Sequence, residues 1–404
     1  MHAGQLSVSH ERWLLATLAG VQFANVLDFM LLMPLGAQLM RLFGMTPTHF
    51  GLLISIYMAT ASVVGFGSAF LIDRFDRRAT LLALYTCFTV ITLLTATAQS
   101  YGWLLAARAI AGAFGGVLAA TVFAIVGDTI PEKRRGDALG IVMSAFSIAS
   151  VVGIPLSLYL AARWSWRAPF VFLMGLSAVI LATAFRSVPR VHAHIEAART
   201  RSAVAQARAV FAHRNHLRAF GLTVLLNFSG FAIVPFVAPY LVANVGVEET
   251  ELAITYFCGG LAALVFVRLV GRLTDLHGRQ RVFAVVAGIS ILAIIITTHL
   301  PRVGLWLAAV SQMLLIAALS GRFVPAMAIV TGAAAPVLRG SFMSFNAALQ
   351  QLAAGIASFV AAAIVTTTAA GELAHFGTVG WLSVAATVAA IALASRVQAV
   401  RAPA

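Results

Sequence analysis

Twelve apolar runs, most of them about twenty residues or longer, divide this chain, and they leave it few possible folds. They fall near residues 12–36, 49–72, 79–99, 102–127, 138–162, 166–187, 217–242, 250–271, 281–300, 303–328, 339–367 and 373–395. An α-helix rises 1.5 Å per residue, so about twenty residues cross the ~30 Å hydrocarbon core of a bilayer. Inside that core every backbone polar group needs a partner within the protein, which leaves only helices and closed barrels. A barrel would show alternating segments of about ten residues, and these runs do not alternate. The composition agrees: 61% of the residues are hydrophobic and 10% charged, where a soluble domain carries about 25% charged residues. The sequence predicts an all-α membrane protein with twelve transmembrane helices.

The charges that remain are placed with a bias. The net charge is +14, yet the basic residues are scattered among short connections, which argues against a nucleic-acid partner. With the N-terminus inside, 20 of the 27 Lys and Arg residues fall on inner connections and tails. Four fall outside: Arg41, Arg163, Arg167 and Arg302. Such a bias orients a membrane protein, here with both termini cytoplasmic. The bilayer is the large partner, and basic inner loops suit its anionic leaflet. Glu248, Glu249, Glu251 and Glu372 fall on the outer side.

One short charged phrase is written twice. AFLIDRFDRR spans 69–78 and GRLTDLHGRQ spans 271–280; their acids, Asp73 and Asp275, lie 202 residues apart in a 404-residue chain. Arg135-Gly136 and Arg339-Gly340 repeat at a spacing of 204. The only long connection separates six runs from six. The expected organisation is a six-helix bundle over 1–187, a cytoplasmic linker over 188–216 and a second six-helix bundle over 217–404. Val204, Arg208 and Phe211 suggest an interfacial helix in the linker. An even number of helices per repeat makes the repeats parallel, and in transporters built this way the binding site lies between them at mid-membrane.

These motifs resemble the major facilitator superfamily, whose loop after the second helix reads G-x-L-x-D-x-x-G-R-K/R. Gly271, Leu273, Asp275, Gly278 and Arg279 match in the second half, and Leu71, Asp73, Arg77 and Arg78 in the first. Ala69 and Asp76 stand where the pattern has glycine. Arg108 and Gly112 match the family's R-x-x-x-G motif in the fourth helix. Gly153 and Pro155 resemble the glycine-proline motif of antiporters in the fifth, with Leu156 and Ser157 where further glycines are usual. WSWRAPF and NVLDFMLLMPLG are similar to the twelve-helix drug and sugar efflux branch, including arabinose-efflux-type permeases. The resemblance implies a monomeric secondary transporter of a bacterial inner (plasma) membrane. It would export a small organic solute, a drug or a sugar-like metabolite, in exchange for protons. An uptake symporter or a facilitator of the same fold is the alternative, and a membrane receptor is disfavoured. The resemblance also implies that the duplicated loop forms a charge relay at the cytoplasmic gate. Asp73, Arg74, Arg77 and Arg78 are the first-half candidates, with Asp128 as the acid nearest them, and Asp275 and Arg279 are their counterparts.

Ionisable groups inside spans are costly and mark pathways or relays. Asp28 is the one acid deep in a span. By helical rise it lies about 10 Å from the outer end of its helix near Leu35, and Arg108 about 9 Å from the outer end near Gly102. A pair between them would favour ionised Asp28, and its rupture would favour proton uptake. Asp28 is thereby the candidate proton carrier and Arg108 its switch; a fixed structural salt bridge is the alternative. Gln22 and Asn25 share a helical face with Asp28. Asn227, Asn346 and Gln350 are the polar candidates of the second half, lining a cavity or joining helices. Arg322 either meets an anionic group of the substrate or sits near the inner mouth. Arg268 reads as a snorkelling residue. Cys87 and Cys258 show no metal or disulfide spacing. His192, His194, His213 and His216 read as a solvated linker. No phosphate-cradling G-x-x-x-x-G-K-[ST] occurs. No metal, cofactor or catalytic residue is expected, and an enzyme is disfavoured.

Overall fold

The computed structural model describes residues 8–68, 75–189, 203–335 and 338–400. Among the described residues twelve helices are long and apolar enough to cross a membrane. They are α1 (Ser9–Leu31), α2 (Pro47–Ser68), α3 (Arg77–Ala96), α4 (Tyr101–Thr129), α5 (Arg134–Arg163) and α6 (Ala168–Ser187), then α7 (Arg214–Val245), α8 (Leu252–His277), α9 (Arg279–Thr298), α10 (Leu305–Gly332), α11 (Arg339–Ile364) and α12 (Phe376–Ala394). A short helix, Ala203–Phe211, precedes α7, and another, Gly36–Phe43, links α1 to α2. A two-strand hairpin, β1 (Thr366–Thr367) with β2 (Leu373–Ala374), joins α11 to α12.

Helix packing repeats across the chain. In the first six helices α2 and α3 pack on α4, α5 and α6 pack on α1, and α3 packs on α6. In the last six α8 and α9 pack on α10, α11 and α12 pack on α7, and α9 packs on α12. Even the irregularities correspond. α1 ends at Leu31 before Pro34, and α7 is interrupted after Phe231 before Pro235, because proline removes a backbone donor and breaks the ladder. Helices can touch so closely because small residues let backbones approach. A Cβ on Gly112 of α4 would overlap the Tyr57 carbonyl oxygen of α2, and one on Gly116 would lie 2.6 Å from the Ala61 oxygen.

Two seams join the six-helix sets: α2 with α11, and α5 with α8. The first runs along most of both helices, from Thr48 Oγ1, which donates to the Ala362 carbonyl at 3.2 Å, to the rings of Phe66 and Phe345 at 5.4 Å. The second is shorter. α8 packs on α5 over Ala149–Arg163, with no comparable packing on Glu132–Ile148. A π turn, Ala149–Gly153, marks the boundary, just before Pro155. Pro155 has no N–H to offer the carbonyl four residues back, and the wider turn absorbs that loss. Gly260 of α8 packs on this turn, where a Cβ would lie 2.8 Å from the Ser150 oxygen.

The ends of the molecule therefore differ. At the end that carries the 32–46 and 246–251 connections, Arg41 donates two hydrogen bonds to Glu249, at 2.6 and 3.0 Å, across the two sets. There Glu249 raises the Arg41 pKa, through its hydrogen bonds and then its charge. Phe50 meets Phe236 edge-on, with centroids 6.0 Å apart. At the opposite end, where α1 begins and α12 ends, α5 and α8 part.

Several boundaries depart from the sequence expectation: α5 begins at Arg134 and α10 runs on to Gly332, each about a turn beyond its apolar run. α8 continues through Arg272 and Asp275 to His277 and stops at Gly278, whose φ of +87° suits glycine. Hydropathy marks where hydrocarbon ends and not where the helix ends, so it clipped these charged turns. α1 stops at Leu31 and not near Leu35, for the proline reason above.

Candidate functional site

Asp28 and Arg108 meet. Arg108 Nη1 lies 2.9 Å from Asp28 Oδ2, and the side chains are each 1% exposed. α1 ends three residues beyond Asp28, so the expected depth along α1 was overstated, yet the pair forms. Asp28 Oδ1 and Arg108 Nε have no partner. A buried pair offsets the desolvation of both charges only when hydrogen bonds satisfy the remaining atoms, so this pair keeps one acceptor and one donor in reserve. Asn25 and Gln22 extend the stripe along α1. The Asn25 amide donates to the Gly115 carbonyl at 3.1 Å, which turns its oxygen the other way, where it has no partner. The buried Gln22 Oε1 is likewise unpartnered. Gly115 allows this approach: a Cβ there would lie 2.5 Å from the Tyr57 hydroxyl and 2.7 Å from Asn25 Oδ1.

Tyr57 of α2 belongs to this site and was not singled out from the sequence. The Arg108 guanidinium carbon lies 4.4 Å from its ring centroid, within cation–π range. Phe29 stacks on Tyr57 at 5.4 Å and reaches Phe231 of α7, in the other set, at 5.9 Å. An aromatic inside an apolar run carries no periodic signal. The available clue was a phenol in mid-span, whose hydroxyl needs a polar neighbour.

The second-set candidates divide into two groups. Thr223 Oγ1 donates to Asn346 Oδ1 at 2.7 Å, Asn227 donates to the Thr223 carbonyl of its own helix at 2.9 Å, and Gln350 Nε2 lies 3.8 Å from Met327 Sδ. Asn346 Nδ2 is buried and unpartnered. Arg322 stands apart from them. It donates to Ser290 at 3.0 Å, Thr387 at 3.1 Å, Ser229 at 3.2 Å and the Leu226 carbonyl at 3.4 Å. These acceptors belong to α7, α9 and α12, so Arg322 points into its own bundle and is brought near neither Asp28 nor Arg108.

At the end where α1 begins and α12 ends, Arg77 Nε donates to Asp128 Oδ2 at 2.9 Å, and Arg78 donates to the Phe185 carbonyl at 2.6 Å. Both contacts stay within the first set. Asp73 and Arg74, with His192 and His194 of the linker, lie outside the described residues. Asp275 is exposed, and Arg279 donates to the Ala328 carbonyl of α10 at 2.8 Å. Asp76, the departure from the glycine pattern, accepts from the Ala79 amide at 3.0 Å and caps α3. Gly278, 202 residues on, ends α8 with a positive φ, so one turn is built by two devices. Gly153 receives Leu27 and Phe23 of α1 against its bare backbone, next to Asp28. Pro155 follows the π turn.

The family model described as Major Facilitator Superfamily matches residues 18–239 and again 219–403. The chain belongs to the Major Facilitator Superfamily. Relatives of this facilitator are named as transporters and not as enzymes. A probable 4-methylmuconolactone transporter of Cupriavidus pinatubonensis is 27% identical over 282 residues, 67% of this chain and 61% of that protein. A probable sugar efflux transporter of Mannheimia succiniciproducens is 25% identical over 232 residues, 56% of this chain and 57% of that protein. An uncharacterised MFS-type transporter of Bacillus subtilis, YhcA, is 33% identical over 172 residues, 43% of this chain and 32% of that protein. The matches thus span less than two thirds of these relatives' lengths. Among solved structures, a bacterial homologue of the human lysosomal transporter Spinster, inward-facing and occupied, superposes with a TM-score of 0.75 at 17% identity over 97% of this chain and 98% of that one. A D-xylose-proton symporter does so at 0.75 and 16% over 95% and 97%. At these identities the two structures speak for the fold.

Proposed function

We propose that this facilitator is a secondary active transporter that exports a small organic solute in exchange for protons, by alternating access between residues 1–187 and 217–404, with 188–216 as their tether. The observation that carries this reading is the Asp28–Arg108 pair, buried inside two spans with one carboxylate oxygen unpartnered. Ionisable groups inside spans mark ion pathways and proton relays, and Asp28 is the acid of this pair that would carry the proton. The solute sits between the sets, against Gln22, Asn25 and Asp28 on one side and Asn227, Asn346 and Gln350 on the other. The basic bias assigns the end where α1 begins and α12 ends to the cytoplasm of a bacterial inner membrane. The conformation described is then closed outward and parted inward along α5 and α8. In it Arg77 pairs with Asp128 and Arg78 holds the Phe185 carbonyl, all within the first set, and these gate residues re-pair across the sets when the inner side closes. A single chain contains both halves and acts as a monomer. The named sugar efflux and methylmuconolactone relatives suggest a sugar-like or small carbonyl solute. Uptake by proton symport is the second reading, favoured by Leu156 and Ser157 beside Pro155.

The test uses liposomes with an internal pH dye and an acid-loaded interior, given a panel of sugars, lactones and drugs. Antiport alkalinises the interior when a substrate is added, and Asp28→Asn removes the signal. Substrate flux without proton movement, unchanged in Asp28→Asn, overturns proton coupling. Substrate and protons moving in the same direction select symport.

A further inference from the structure

We infer that Tyr57 is the positioning residue that ties the charge state of the Asp28–Arg108 pair to closure between the sets, through Phe29 and Phe231. The inference rests on the proposed role of Asp28 in transport. Arg108 has two partners of different kind: the Asp28 carboxylate at 2.9 Å and the Tyr57 ring face at 4.4 Å. The charged and phenolic groups that bear on Asp28 come from α4, as Arg108, and from α2, as Tyr57. α5 and α6 also pack on α1. Near Asp28, α5 brings Gly153 against Leu27. Its charged contact, Arg134 with Glu11 at 2.9 Å, lies further along α1 from Asp28, as do the α6 contacts, Ile180 against Gly20 and Ser187 with Thr17 at 2.9 Å.

When Asp28 is neutral, the guanidinium loses its counter-ion but keeps the ring, because a cation in a desolvated site is attracted to an aromatic face. The guanidinium and the ring then move as a unit. Gly112 and Gly115 leave no slack behind Tyr57, since a side chain at either position would overlap it. The adjustment passes instead to the other neighbour of the ring, Phe29, which stacks on it at 5.4 Å. Phe29 touches the second set at Phe231, the last helical residue before α7 breaks. The Phe231 carbonyl accepts from Ser358 of α11 at 3.2 Å, and the Ser358 carbonyl lies against Gly51 of α2. A shift at Phe29 therefore arrives where both α7 and the α2–α11 seam are anchored, near the closed end.

The test reads the closed end directly. Spin labels at Leu42 and Thr250, both exposed and on opposite sets, report their separation by pulsed electron resonance in liposomes, in a chain carrying Cys87→Ser and Cys258→Ser. Asp28→Asn stands in for the protonated form. It is expected to raise the proportion of widely separated labels on the order of tenfold, a usual size for coupling between sites. Tyr57→Phe keeps the ring face and should preserve that response, whereas Tyr57→Leu and Phe29→Leu should each abolish most of it. The same response to Asp28→Asn in the Leu variants overturns the inference. So does a lost response in Tyr57→Phe, which would assign the effect to the hydroxyl, or no response in the parent chain. Should Tyr57→Leu fail to fold, Phe29→Leu decides. Proton movement with substrate is read separately by the pH dye, so a failure of the antiport reading is told apart from a failure of this one.

Discussion

Arg108 and Arg322 are both buried guanidiniums inside helices of a membrane chain, and their surroundings are opposite. Arg108 faces a carboxylate and an aromatic ring and keeps an unpartnered nitrogen. Arg322 faces three hydroxyls and a carbonyl, with no acid among its described partners. Those hydroxyls are already committed: Ser290 donates to the Ala287 carbonyl, Thr387 donates to the Ser383 carbonyl, and the Ser229 hydroxyl is hydrogen-bonded with the hydroxyls of Ser383 at 2.9 Å and Thr387 at 2.6 Å. Their lone pairs are left for Arg322. One arginine is therefore held by a charge that a proton can remove. The other is held by fixed dipoles that no ordinary pH change alters. The lesson is that an arginine in a span is not by itself a functional mark; the removability of its partner is.

The largest effect should come from stranding a charge. Arg108→Met leaves Asp28 buried without its counter-ion, and breaking a buried pair in this way costs about 3–5 kcal/mol. Asp28→Leu with Arg108→Met should recover most of that loss in detergent unfolding while proton-coupled transport stays absent. If the single variant is as stable as the parent, Arg108 does not offset the buried charge of Asp28.

Arg322→Met should be milder. The hydroxyls it leaves can turn to one another, so the expected cost is that of lost hydrogen bonds with no buried charge stranded, about 1–3 kcal/mol. The liposome proton signal should survive. Its disappearance with the fold intact would erase the contrast between the two arginines.

The smallest effect belongs to an ion pair that water reaches. Arg41→Ala removes the bidentate contact with Glu249, and exposed pairs contribute about 0–1 kcal/mol. High salt should shrink even that difference, because screening acts within a few ångströms at 1 M. A much larger loss, insensitive to salt, would put Arg41 in the same category as Arg108.

The sequence carried the fold further than the site. The twelve runs and the phrase repeated at 73 and 275 reflect constraints written along one helix at a time, whereas Pro34 and Pro235 lie inside runs that hydropathy reads as continuous, and the breaks beside them show only in the structure. Asp28 and Arg108 were legible because charge in hydrocarbon is costly wherever the partner comes from. The reach of Arg322 was not, since serine and threonine inside spans usually bond back to their own helix, and nothing in their spacing shows four helices converging. Tyr57 and Phe29 were hidden for a related reason: rings in apolar runs look like ordinary core, and their meaning lies in which set each one touches. Asp76 shows the reverse case. It broke a family pattern on paper, and in space it caps a helix.

The π turn at Ala149–Gly153 has a consequence for anyone mapping α5 residue by residue. A π turn amounts to one extra residue wound into an α-helix, and each residue advances the face by about 100°. A cysteine scan along α5 should therefore give two labelling waves of the same period that fail to join: the water-facing positions before Ala149 and those after Gly153 will be out of phase by about that angle.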